Sequence, residues 1–424
     1  MLLLENIRFL ITQNEERKVL ENVDILVKQD RIFEIGKNLS DHYSPEKVLD
    51  CSNKVVLPGL INTHTHASMT AFRGISDNKL LEDWLHEDIF PAEDSLTETD
   101  AYYGAMAASL EMLKTGTTCF SDMYFHLEQV ADAVEDSGIR AVLARGLTDI
   151  QEPQDLDEVI DELAQLVGRE RIKPAIAPHS IYTCSEDLLL DSKDIAEKFD
   201  LLYHIHLSET QKENSDSVDA RGMTPTEYLD NLGILDENTV AAHGTHLSQK
   251  DIETLAWNNT GIAHNPSANL KLGSGIADVP ELRKNGVEVG LGTDGPASNN
   301  NLNLFEEAKI SALLHKREDP RIIDEQEILD MVTIEAAEIL GVQNELGSIE
   351  KAKKADLITI DLDHPEMRPF HGKTGIISNL IYSFSGNISE TIVDGKIVVE
   401  EGEVTKIGEK QILRELQRRS EKFS

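Results

Sequence analysis

Residues 261–295, GIAHNPSANLKLGSGIADVPELRKNGVEVGLGTDG, decide the fold. GIAHNPS (261–267) is a short apolar run that stops at Asn-Pro and reads as a strand. IADVPELRKNG (276–286) then places apolar residues three and four apart, the spacing of one helix face. VEVGLGTDG (287–295) is apolar again, up to an aspartate bracketed by glycines. Strand, helix, strand in such a short span predicts parallel pairing.

Working outward, the same alternation runs upstream. Candidate strands are VVLPGLINTH (55–64), TGTTCFSDMY (115–124), IRAVLARGL (139–147), KPAIAPHS (173–180), LLYHIHLSE (201–209) and TVAAHGTH (239–246), which with the two above make eight. Helix-like stretches such as AYYGAMAASLEMLKT (101–115), EQVADAVEDS (128–137) and LDEVIDELAQLVG (156–168) lie between them. Eight βα units predict an α/β fold, a (β/α)8 TIM-type barrel whose active site gathers at the C-terminal strand ends. The chain ends have another texture. LLLENIRFLIT (2–12), VDILVKQDRIFEIGK (23–37) and KVLDCSNKVVLPG (47–59) alternate like strands, and so do KADLITIDL (354–362) and SETIVDGKIVVEEGEV (389–404). The expectation is a small β-sandwich domain built from both ends, residues 1–57 and 346–424, with the barrel, 58–345, inserted between them. EILDMVTIEAAEILG (327–341) reads as a helical segment, and EKQILRELQRRSEKF (409–423) as a short amphipathic surface helix.

Composition narrows the function. Lys and Arg number 40 against 77 Asp and Glu, a formal charge of −37. Such a surface repels phosphate backbones and anionic lipid, so no nucleic acid and no membrane partner is expected, and a small neutral or cationic substrate fits better. Cys51, Cys119 and Cys184 are odd in number and lack CxxC spacing, which points to a reducing compartment. MLLLENIRFLITQNEE has no basic region before its apolar patch, so it does not read as a signal peptide, and no apolar run nears the roughly 18–20 residues of a membrane helix. A cytoplasmic protein is expected, with a homo-oligomer left open.

The polar residues worth naming sit at strand ends. His64 and His66 are two apart on a strand and share a face. HIHLSE holds His204 and His206; His206 is nearer the strand end and is the expected ligand, leaving His204 a supporting or packing role. Glu209, three residues on, is placed to carry a proton from water to a leaving group, unless it is merely an exposed loop carboxylate. His243 reads as a ligand or as a hydrogen-bond donor to the attacking water, and His246 as structural. Asp294 reads as a ligand and proton acceptor, with a turn-forming aspartate as the bland alternative. Imidazoles plus one carboxylate, with room for a water, make the ligand set of a catalytic zinc site. The expectation is water activation on one divalent metal, zinc by default, with iron and manganese compatible.

PGLINTHTH, EDWLHEDIFPAE, DMYFH, ARGL, PHS, IHLSET, AAHGTHL, HNPSANLKLGSGIA and LGTDGPASNNNLNLFEE occur in this order over residues 58–307. Together they resemble the amidohydrolase superfamily and, within it, the 5′-methylthioadenosine/S-adenosylhomocysteine deaminases. The resemblance implies a mononuclear site with His64, His66, His206 and Asp294 as ligands; the fourth strand ends PHS, without the bridging lysine common in binuclear relatives. It implies Glu209 as the proton shuttle, His243 as hydrogen-bond partner of the attacking water and His179 as a contact to the substrate base. Glu93 matches the carboxylate that accepts the ribose hydroxyls. Ser298 matches a further substrate-side contact, or else an N-cap of the following helix. Arg145 of ARGL matches an arginine that grips the carboxylate of a homocysteine arm. A second arginine found in some relatives is absent from TDIQEPQDLDE (148–158), which tilts the expected substrate towards methylthioadenosine or adenosine. His126 and His264 are read as supporting residues, Trp84 and Phe90 as pocket walls. The implied reaction is hydrolytic deamination at C6 of adenine. The rivals are a guanine deaminase, a triazine chlorohydrolase and, from another class, a silent metal-binding scaffold.

Overall fold

The computed structural model describes every residue except Gln151, Glu318 and Ser424. One eight-stranded sheet, among the described residues, carries the strands read above in sequence order. We label them β1 (Leu60–Thr65), β2 (Thr117–Tyr124), β3 (Arg140–Leu147), β4 (Ile172–Pro178), β5 (Leu202–Leu207), β6 (Thr239–His243), β7 (Gly261–His264) and β8 (Val289–Leu291). Pairing from β3 to β8 is parallel throughout, with Leu207 opposite His243 and His264 opposite Leu291. Every residue of β5 is buried, as in parallel strands covered on both faces. Beyond β8 the Asp294 N–H donates to the His64 carbonyl at 3.0 Å, and the Thr293 N–H to Asn62 Oδ1 at 3.1 Å. These bonds draw the last strand end to the first and make the sheet a nearly closed (β/α)8 barrel, as expected.

Gly292 belongs to this closure. A Cβ there would lie 2.3 Å from Asn265 Oδ1 and 2.9 Å from the His64 nitrogen, so only glycine lets the two ends approach.

Contacts divide the chain into two compact units. One takes in Asn62–Ser109, Phe120–Leu302 and the terminal residues from Gly408 on; the other takes in Met1–Ile61, Leu110–Cys119 and Asn303–Ile407. In the second unit the chain ends meet by strand pairing: Lys54–Pro58 runs antiparallel to Leu357–Asp361 inside a seven-stranded sheet. A four-stranded sheet is built from Leu2–Ile7, Val23–Lys28, Arg31–Gly36 and Lys47–Asp50. Leu4, Ile25 and Val27 from the small sheet share one apolar cluster with Leu10, Val56, Leu357 and Ile392 from the large one. Two sheets over a common core make the β-sandwich expected from the alternating ends.

The stretch read as one helix at 327–341 is two, Glu325–Met331 and Ile334–Ile339. Thr333 causes the break: its hydroxyl donates back to the Leu329 carbonyl at 2.6 Å and accepts from Gln13 Nε2 at 2.8 Å, with φ −132 and ψ −92. The terminal helix forms over Glu409–Ser420. No helix among the described residues is long and apolar enough to cross a membrane.

Candidate active site

Residues from three distant parts of the sequence, His64 with His66, His206 and Asp294, converge at the C-terminal strand ends. The ligand atoms of His64, His66 and His206 lie within 4.8 Å of one another. Asp294 Oδ1 stands 3.5 Å from His64 Nε2 and 3.3 Å from His66 Nε2. Each imidazole has its other nitrogen engaged. His66 Nδ1 donates to the Met123 carbonyl at 2.6 Å and His206 Nδ1 to the His179 carbonyl at 2.7 Å, while His64 Nδ1 meets His204 Nε2 at 3.1 Å. The three Nε2 atoms are thereby turned to one point, and His64 Nε2 is buried without a hydrogen bond. This donor set fits a divalent metal.

Electrostatics agree. Burial pushes the Asp294 carboxyl up, but His64 and His66 outweigh it and hold the group well below the usual carboxylate range. Burial likewise lowers His66, yet Asp294 overcomes it and raises the imidazole to about 9. The carboxylate is also anchored, Oδ1 accepting from the Gly295 N–H and Oδ2 from Ser298 Oγ, both at 2.7 Å. Ser298 therefore acts on Asp294 while lining the cavity, and the following helix, Leu304–His315, takes Asn303 as its N-cap instead.

Glu209 and His243 face each other across the cluster, with His243 Nε2 3.7 Å from Glu209 Oε2. Asn269 Nδ2 donates to His243 Nδ1 at 2.8 Å, which puts the ring proton on Nε2, the nitrogen turned to the site. Burial lowers His243 to about 4, so it is a neutral donor. Glu209 is only 5% exposed, and burial, helped by the Asp294 charge, pushes its carboxyl up to about 8. A carboxyl that holds its proton near neutral pH is suited to giving one away.

Ser208, His243 and Asp294 all sit at positive φ, 49°, 79° and 59°. Such backbone costs non-glycine residues roughly 1–3 kcal/mol each, and it clusters where side chains must be aimed.

A cavity of about 600 Å3 opens over the cluster. His179, Glu93, Trp84, Phe90 and His126 line it together with His66, His206 and Asp294. His179 Nδ1 is bound to Thr183 Oγ1 at 2.9 Å, leaving its other nitrogen for a ligand. Burial raises Glu93 to about 7. Arg145 is placed apart from these groups: its Nε donates to Glu162 Oε2 at 2.6 Å, and its neighbours Gly146 and Leu147 line the cavity in its stead. Gln151 lies outside the described residues. His246 bonds the Ser274 carbonyl at 2.6 Å, a structural contact, and His264 is fully buried.

Across residues 55–398 the chain matches the amidohydrolase family. The chain belongs to the amidohydrolase family. It is 45% identical to a 5′-deoxyadenosine deaminase of Methanobrevibacter smithii, over 94% of this chain and 93% of that one. It is 40% identical to a 5-methylthioadenosine/S-adenosylhomocysteine deaminase of Caldanaerobacter subterraneus, over 99% and 98%. A zinc-bound adenosine deaminase from Xanthomonas campestris superposes with a TM-score of 0.95 at 28% identity, covering 100% and 98% of the two chains.

Several residues of this amidohydrolase site escape sequence reading. Glu213 is one: its buried carboxylate accepts from the Ser208 N–H at 3.0 Å and the Glu209 N–H at 2.7 Å, fixing the backbone that aims Glu209. Thr210 and Glu213 carry the spacing of a capping box, a signal visible in sequence, although the carboxylate turns to the loop. Ser274, whose hydroxyl donates to Glu209 Oε1 at 3.1 Å, and Asn269 carry no comparable signal.

Proposed function

We propose that this amidohydrolase removes the 6-amino group of an adenine nucleoside by hydrolysis, giving the inosine product and ammonia. The observation that carries the reading is Glu209 and His243 facing each other beside three convergent imidazoles, in a cavity that also holds Glu93. Two relatives that share at least 40% of their residues with nearly the whole chain are named for this reaction on 5′-modified adenosines. His64, His66, His206 and Asp294 would hold one divalent metal, taken here as zinc, which when bound lowers the pKa of water into the neutral range.

The residues do the rest. Asp294 accepts a proton of the water, and His243 directs its oxygen to C6 by a hydrogen bond from Nε2. Glu209 gives its proton to N1 of the ring as the C6–O bond forms. Asp294 returns the water proton to the amino group, the C6–N bond breaks with its electron pair leaving on nitrogen, and ammonia departs; the C6 hydroxyl proton, released as the carbonyl forms, restores Glu209. His179 contacts the base and Glu93 accepts from the ribose hydroxyls. A reducing, cytoplasmic setting belongs to the same reading, supported by three free, buried cysteines.

Initial rates followed by ultraviolet absorbance on zinc-loaded protein test this reading. Methylthioadenosine, 5′-deoxyadenosine, adenosine and S-adenosylhomocysteine should each be run. Turnover of the first two is expected. S-adenosylhomocysteine should be slower by about tenfold, since Arg145 is engaged by Glu162 and Glu152 lines the cavity, a penalty of about 1.4 kcal/mol. No turnover of any nucleoside by zinc-loaded protein would reject the function.

Glu93→Ala should raise KM for nucleosides about tenfold or more and leave free-base analogues nearly unchanged. The acceptor form of Glu93 is the carboxylate, which prevails above its raised value of about 7 and is lost as pH falls through it. Nucleoside KM should accordingly climb below pH 7, and a flat KM from pH 8 to 6 would remove Glu93 from ribose binding.

A further inference from the structure

The three metal-facing imidazoles are supported unequally. His66 and His206 donate hydrogen bonds from their Nδ1–H groups to backbone carbonyls, which can only accept. His64 faces another imidazole: its Nδ1 is 3.1 Å from His204 Nε2, and His204 Nδ1 is in turn 3.2 Å from Ser121 Oγ. All three residues are fully buried, and the two rings are 4.9 Å apart and inclined at 57°.

Position alone makes the chain directional. A neutral imidazole has one N–H, so a ring that offers Nε2 to a metal must carry its proton on Nδ1. His64 can do so only if His204 Nε2 is a bare lone pair, which requires the His204 proton on Nδ1, facing Ser121 Oγ. The opposite His204 tautomer would set N–H against N–H, or force the His64 proton onto Nε2, where it would block the ligand position. We propose that His204 and Ser121 are a positioning pair that holds His64 in its metal-binding tautomer and, because imidazole is a stronger base than a carbonyl, makes His64 the most electron-rich of the three histidine ligands. The proposal rests on the metal site described above and assigns a task to the first histidine of HIHLSE beyond packing.

The test is zinc affinity by chelator competition, with the visible spectrum of the cobalt(II)-substituted protein as a second readout. His204→Leu should weaken zinc binding about 10–100-fold and shift the cobalt ligand-field bands. His204→Gln places an amide oxygen close to the lost Nε2, where it can accept from His64 Nδ1, and should restore most of the affinity. Ser121→Ala should weaken binding by a smaller factor. Thermal melting of the metal-free variants separates this effect from loss of packing. Leucine and glutamine variants that bind zinc equally, or a leucine variant with wild-type affinity and an unshifted cobalt spectrum, would overturn the proposal. If the leucine variant does not fold, Ser121→Ala decides: weakened binding supports the pair, and unchanged affinity refutes it. Failure of the wild-type protein to bind zinc at all would instead remove the metal reading beneath it.

Discussion

Glu209→Gln should lower kcat about 10³-fold while zinc content stays at the wild-type level. The substitution keeps the shape of the side chain and an oxygen for the Ser274 hydroxyl, so the loop pinned by Glu213 has no reason to move. What disappears is the only group at this position that can hold a proton at neutral pH and release it to a ring nitrogen. The raised value of about 8 gives the sign of the accompanying pH effect. Below it Glu209 is protonated and able to donate, so wild-type kcat should decline as pH rises through about 8, and the glutamine variant should lose that limb. A variant that keeps zinc and full activity would assign the proton transfer elsewhere.

Asp294→Asn is expected to cost about as much in kcat/KM and, unlike the first, to release metal. Asparagine can still accept from the Gly295 N–H through its oxygen and meet Ser298 through its nitrogen. The loss is therefore chiefly the negative charge. In the proposed reaction that charge receives the proton of water. Excess zinc should restore occupancy but not the rate, which separates the ligand role from the base role. Full recovery of rate with zinc would leave Asp294 as a ligand alone.

Much of this was readable in advance because the barrel repeats one physical pattern, an apolar run ending in a polar residue. The period-two rule puts His64 and His66 on one face, and the strand ends give His206, His243 and Asp294 a common rim. The contacts behind that rim are another matter. His204 meets His64 across the barrel, and Asn269 reaches His243 from a short helix, Pro266–Lys271, so neither pairing leaves a trace in local spacing. Arg145 shows the limit most clearly. The helix Leu156–Leu166 and its flank carry several acids, and only the folded geometry selects Glu162 as the partner of that guanidinium. The split of 327–341 into two helices escapes notice for a like reason, since Thr333 is held by Gln13 from the far end of the sequence.

The bond from the Asp294 N–H to the His64 carbonyl has a consequence for how the molecule is made. His64 and Asp294, the first and last of the proposed metal ligands, are separated by almost the whole barrel sequence, so during synthesis the proposed set stays incomplete until β8 has emerged and returned to β1. Early capture would have to close that long loop against its entropy. On the proposed ligand set, metal loading is thus a late event that reports a finished barrel: a nascent chain cut short before β8 has His64, His66 and His206 but not the carboxylate that completes the set. An ion held by the proposed set would tie the two ends of the sheet together and resist opening at the seam where strand pairing gives way to turn contacts.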